Sequence, residues 1–218
     1  MCERMISSPG RRFDAPHERA TRLIAAVITV VNRDDLPDGG AAHYRACLEA
    51  VHERLPDLGI ELLCSELNGN EEALAALLDG APLKVFAHNV ETVERLTPNV
   101  RDRKASFATS IRILEKAKEL RPDLMTKSSL MVGLGETEDD LIATLNALRG
   151  AGVELLTIGQ YLAPTRAHYP VISFVTPDKF SEYEQLALEL GFRSAACGPL
   201  IRSSFQAGDL FRTAIEKN

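Results

Sequence analysis

The chain has 218 residues, 45% hydrophobic and 26% charged, an ordinary globular composition for one large α/β domain or two small ones. Its formal net charge of −6 argues against a nucleic-acid footprint, and no apolar run reaches the roughly 20 residues that cross a bilayer. The opening "MCERMISSPGRRFDAPHERATR" lacks a signal-peptide core, so a cytoplasmic protein without membrane contact is expected.

Short β-branched runs alternate with helical patterns along the chain, which predicts a parallel sheet built from βαβ units. Ala25–Val31 reads as a buried strand, Ala42–Leu55 as a helix, Gly59–Cys64 as a strand and Asn70–Gly80 as a helix. Lys84–Asn89 is a short strand, and Ser106–Leu120 an amphipathic helix closed by Pro122. "MTKSSLMVGLG" is a strand ending in a glycine turn, followed by a helix capped by Thr137 with acids in its first turn. "VELLTIGQY" and "RSAAC" are the last two strands, separated by a helix that has Pro177 just after a Thr176 cap. Six strands with helical crossovers give either a (β/α) barrel or an open doubly wound sheet. In both, chemistry gathers at the C-terminal ends of the strands.

The residues that follow each strand are therefore the candidates. After the first comes "NRDDLPDGGA", with Arg33, Asp34 and Asp38. It is either a solvated turn bending at Asp38-Gly39-Gly40 or a loop whose glycines admit a ligand while its acids hold an amine or cation. After the third comes "HNVETV", with His88, Asn89 and Glu91, a set suited to ribose hydroxyls or to a satisfied structural cluster. Gly133 and Gly135 of "MVGLGE" lack the third glycine and the early βαβ position of a dinucleotide fingerprint. They read better as backbone opened against a flat adenine edge, with Glu136 at the helix start. "IGQYLAPTRAHYP" supplies Gln160 and a loop histidine, His168, without nucleophile or partner carboxylate at recognisable spacing. Near the C-terminus, "CGPLIRSSFQAG" leaves three readings open: a phosphosite, an anion-binding turn, or a serine oxygen serving as a ligand. The four cysteines, Cys2, Cys47, Cys64 and Cys197, match no CxxC pair, zinc pattern or iron–sulfur triad.

Taken together, "NRDDLPDGGAAHY", "VFAHNVETVERL", "TKSSLMVGLGET", "LLTIGQYLAPTRAHYPV" and "GPLIRSSF" resemble the lipoyl synthase family of radical S-adenosylmethionine (SAM) enzymes from about Ile28 to Phe205. The resemblance implies an α/β fold, a partial (β/α)6 barrel. It also implies two 4Fe–4S clusters and SAM as cofactors, and sulfur insertion at C6 and C8 of a protein-bound octanoyl group. Expected partners are octanoylated lipoyl carrier domains (2-oxoacid dehydrogenase subunits and the glycine cleavage H protein) and an electron donor. By the same resemblance Gly133 and Gly135 face adenine, and Asn89 and Glu91 the ribose and amino-acid end, with Gln160 also on the cofactor. Arg33, Asp34 and Asp38 lie at the substrate entrance. Ser203, beside Arg202, matches the serine ligand of the auxiliary cluster, and both are catalytic candidates.

The sequence departs from the family at its N-terminus, where neither the CxxxxCxxxxxC nor the CxxxCxxC triad occurs. Residues 1–24 read as a remnant N-terminal segment, 25–205 as the barrel without its first strand and cluster region, and 206–218 as a tail. An exposed sheet edge is then expected. The alternative function is a catalytically inactive fragment or homologue that retains SAM or carrier-protein binding. Arg101, Arg103 and Lys104 are the local basic patch expected to meet an acidic carrier, unless they form a solvated face.

Overall fold

The computed structural model describes residues 25–204 and Gly208. The remnant segment 1–24, with Cys2, and most of the tail, together with Phe205, lie outside the described residues. Six strands form one sheet: β1 (Ala25–Thr29), β2 (Gly59–Leu63), β3 (Val85–Ala87), β4 (Met125–Val132), β5 (Leu155–Gln160) and β6 (Ser194–Gly198). All neighbours pair parallel, in the order β1-β2-β3-β4-β5-β6. Spatial order equals chain order, so every crossover runs the same way, which is the wiring of a barrel rather than of a doubly wound sheet. The sheet does not close, and β1 and β6 are its edges among the described residues. Accordingly β1 is half-buried along most of its length, whereas β5 is buried throughout.

The crossovers carry α1 (Ala41–Arg54), α2 (Glu71–Leu78), α3 (Thr97–Val100), α4 (Phe107–Leu120), α5 (Glu138–Gly150) and α6 (Pro177–Glu189). Their starts follow from local chemistry. The side chains of Asn70, Ser106, Thr137 and Thr176 each accept a hydrogen bond from an amide of the first turn, of Ala73, Thr109, Asp140 and Lys179 respectively. At α5 the cap is reciprocal, with Asp140 accepting from the Thr137 amide at 2.9 Å. Thr137→Ala is therefore expected to cost about 1 kcal/mol in a denaturant melt, and Thr137→Ser almost nothing.

Strand alternation sorts the core. Ile60 and Leu62 of β2, Leu130 and Val132 of β4, and Leu156 and Ile158 of β5 pack with Leu48, Leu74, Leu114, Leu145 and Phe180 of the helices. Each such leucine contributes roughly 1.5–3 kcal/mol by leaving water. Val85, Met125 and Leu155 form a separate small cluster on the concave face. That face also buries a charge pair, in which Lys127 Nζ of β4 donates to Glu61 of β2 at 2.8 and 3.1 Å. Among the described residues no helix is long and apolar enough to cross a membrane.

Candidate functional site

The loops after β1–β6 all leave from the same end of the sheet, so the candidate residues share one mouth. After β1, Gly40 adopts φ 92, and the space a side chain would need there is filled by the Tyr44 ring. The Tyr44 hydroxyl lies 2.8 Å from the Val31 carbonyl and 3.0 Å from that of Gly39, holding the loop closed. Arg33 makes two parallel bonds to Asp35 at 2.8 and 2.7 Å, and Asp34 pairs with Lys104 at 2.5 Å. Asp38 braces the entry to α1, accepting from the amides of Ala42 (2.9 Å) and Gly40 (3.0 Å), and these bonds hold its carboxyl below the ordinary range. Arg33 and Asp34 line a cavity of about 500 Å³ together with Ser65, Glu66, Asn68 and the approach to α4.

After β2 and β3 a buried polar network closes the inner wall. Arg101 donates to Glu66 at 2.6 Å and to Ser110 at 2.8 Å. His88 bridges the Cys64 carbonyl through Nδ1 and the Ser110 hydroxyl through Nε2, each at 2.9 Å. Burial pushes the His88 pKa down, so the ring is neutral, with Nδ1 donating to the carbonyl. One turn further, Asn89 Nδ2 donates to Glu91 Oε1 at 3.1 Å. Burial raises the Glu91 pKa, and its backbone sits at φ 64, a left-handed conformation that side chains resist. A half-buried carboxyl in a strained turn, bonded by one side-chain amide among the described residues, is a donor and acceptor set suited to hydroxyls or an amino group.

After β4, the Glu136 carboxylate accepts from the amides of Gly133 (2.7 Å) and Leu134 (2.9 Å). A β-carbon on Gly133 would overlap the Gln160 amide and the Ser173 carbonyl, so this glycine is required by packing; Gly135 is exposed beside Ile172. The Gln160 side chain, buried in β5, donates to the carbonyls of Tyr161 (3.0 Å) and Ser173 (3.1 Å) and accepts from the Val175 amide (2.9 Å). It thereby ties down the long loop before α6, as does the Tyr161 hydroxyl on the Tyr169 carbonyl at 2.8 Å. His168 is an exposed loop residue bonded to Thr165 at 2.9 Å.

After β6, the Ile201 amide turns back onto the Gly198 carbonyl at 3.1 Å, and the Ile201 carbonyl fills the space a side chain on Gly159 would need. Arg202 reaches the Gln160 carbonyl at 3.3 Å. Ser203 is half-buried and makes no hydrogen bond to a described residue. Thus Asn89 meets Glu91, Gly133 packs on Gln160, and Arg202 joins Gln160, whereas Arg33, Asp34 and Asp38 engage partners of their own.

Thiolates are the usual ligands of an iron–sulfur cluster. Among the described residues no three of His, Cys, Asp and Glu converge on a metal position, and Cys47, Cys64 and Cys197 are free. Burial pushes the Cys64 thiol up to about 12 and raises Cys197 as well, so both are held protonated. The described residues therefore do not fit such a cluster.

Two features differ from the sequence reading. Arg101 is not part of a basic surface patch, because its side chain is 9% exposed and committed to Glu66, leaving Arg103 and Lys104 outside. The helical stretch at Glu94–Val100 has no clear period of its own and was not anticipated. Glu66 and Ser110 were missed as mouth residues; they stand in unremarkable "CSEL" and "ATSI" contexts and acquire partners only across the fold.

The profile of the Radical SAM superfamily matches residues 14–148. A lipoyl synthase from Thermus thermophilus is 48% identical over 209 residues, covering 96% of this chain and 64% of that protein. One from Legionella pneumophila is 50% identical over 186 residues, covering 85% of this chain and 56% of that protein. The chain thus spans somewhat less than two thirds of the length of these relatives. The HMG-CoA lyase of Brucella melitensis superposes with a TM-score of 0.50 at 16% identity, covering 87% of this chain and 63% of that one, a likeness of fold alone.

Proposed function

The chain belongs to the radical SAM superfamily, and from that premise we propose that it is the barrel of a lipoyl synthase, which inserts sulfur at C6 and C8 of an octanoyl group carried by a protein. The carrying observation is the near-half identity to lipoyl synthases along 85–96% of the chain. The five sequence blocks that resemble the family fall at or just after β1, β3, β4, β5 and β6, where a parallel barrel keeps its chemistry.

In this reading Asn89 and Glu91 hold the ribose and amino-acid end of SAM, and the Gly133–Gly135 turn offers its backbone to adenine. Gln160 acts on the cofactor by fixing the loop that covers this turn. Bound SAM would supply the radical chemistry that no side chain can perform on an unactivated methylene. Arg33, Asp34 and Asp38 shape the entrance for the octanoyl-lysine of a carrier domain. Arg202 sets the β6 turn against β5 and presents Ser203 toward the mouth. The reaction belongs in the cytoplasm, with an electron donor. The described residues do not supply the thiolates of an iron–sulfur cluster.

That same lack favours a second reading, a module that binds SAM or the carrier without turnover. Calorimetry with SAM and with an octanoylated carrier domain tests both readings, and saturable heat from SAM is the expected result. Anaerobic reconstitution with iron and sulfide, with dithionite as the electron source, then separates them: release of 5′-deoxyadenosine and a carrier mass gain of two sulfurs mark the enzyme. Silence in every measurement would overturn both.

A further inference from the structure

We propose that Glu66, Arg101 and Ser110 are positioning residues that hold the Asn89–Glu91 turn in its ligand-ready shape; this rests on the reading of that turn as a SAM contact. The turn is strained at Glu91, whose φ is 64, and a strained backbone persists only where its surroundings impose it. Two supports do so. On one side β4 clamps the backbone, with the Glu91 amide on the Ser129 carbonyl at 3.1 Å and the Met131 amide on the Glu91 carbonyl at 2.9 Å. On the other, His88 at the head of the turn is fixed at both ring nitrogens, by Cys64 and Ser110. Ser110 is fully buried on α4, and its oxygen accepts from Arg101, which is itself anchored on Glu66.

The chain of contacts thus runs from Glu66, after β2, through Arg101 and Ser110 of α4 to His88, the residue just before the turn. A partly buried ion pair such as Arg101–Glu66 is a modest source of stability, since desolvation offsets much of the attraction. A satisfied network does, however, confer rigidity. Its location beside a strained carboxyl, in the mouth rather than at the sheet's opposite end, fits a positioning role.

The test is SAM titration by calorimetry on the full chain, alongside the melting midpoint of each variant. Ser110→Ala and Arg101→Lys are expected to fold and to weaken SAM by about tenfold, the scale seen when outer partners of a binding group are lost. Lysine keeps the charge but cannot serve Glu66 and Ser110 together as a guanidinium does. Glu66→Asp should retain more affinity than Glu66→Gln. In Ser110→Ala the ¹⁵N signals of the His88 ring should also shift, because Nε2 loses its donor. Arg112→Ala, which breaks an exposed ion-pair cluster with Glu71, Glu115 and Glu119, should leave SAM affinity unchanged. Folded Ser110→Ala and Arg101→Lys that bind SAM as the parent does would overturn the inference alone. A parent chain that binds no SAM would instead overturn the functional reading on which it rests.

Discussion

Lys127→Ala is expected to destabilise the fold by about 3–5 kcal/mol, because it leaves the Glu61 carboxylate buried without its partner. Lys127 and Glu61 are only 1% and 7% exposed. They reach toward each other across β3, whose Val85 pairs with Glu61 and whose Ala87 pairs with Lys127. In the parent, burial pushes the Glu61 carboxyl up while the ammonium draws it down, and the net direction is upward. Without the ammonium it rises further. A carboxyl whose folded pKa lies above its unfolded value contributes stability below the unfolded value and loses it as pH rises through the folded one. Lys127→Ala should therefore be worst near neutral pH and recover in mild acid, read as the denaturant midpoint across pH. The double change Lys127→Met with Glu61→Leu should cost little or even stabilise, since two charges then no longer need burial. A single variant that is flat with pH would show that the pair is not a charged one.

Gly133→Ala is expected to cost about 3 kcal/mol, combining a left-handed backbone at φ 93 with overpacking against Gln160 and Ser173. Gly69→Ala is the matched control: it too has a positive φ, 73, but nothing stands within 4 Å of the added carbon. It should lose only the backbone part, about 1 kcal/mol. The difference between the two isolates the packing that ties the loop after β5 to the glycine turn. The loss should be visible locally as faster proteolysis within 162–172, where Leu162 and Ile172 are already exposed. Equal losses in the two variants would mean that Gln160 yields freely and the loop is not anchored there.

Most of the architecture was legible in the chain because its determinants are local. The strands at Ala25, Gly59, Met125 and Ser194 and the caps Thr137 and Thr176 depend on neighbours a few residues away. Helix ends moved by a residue or two: α2 begins at Glu71, because Asn70 serves as its cap, and stops at Leu78 rather than at Gly80. The short turns from Glu94 to Val100 escaped notice, since stretches of three or four residues leave no period to read.

The sequence by itself determined the alternation, the helix starts and the order in which polar loops arrive at one mouth, because hydrogen bonds to near neighbours and side-chain periodicity are written residue by residue. It also carried the five blocks that relate the chain to lipoyl synthases. Only the tertiary structure decided what those polar residues do. Asp38 proved to brace the entry to α1, Gln160 to fasten a loop, and Arg101 to turn inward onto Glu66, 35 residues away. Lys127 found Glu61 across 66 residues of chain. A charged side chain reads alike in the sequence whether it faces water or a buried partner, and the packing of the sheet selects between them.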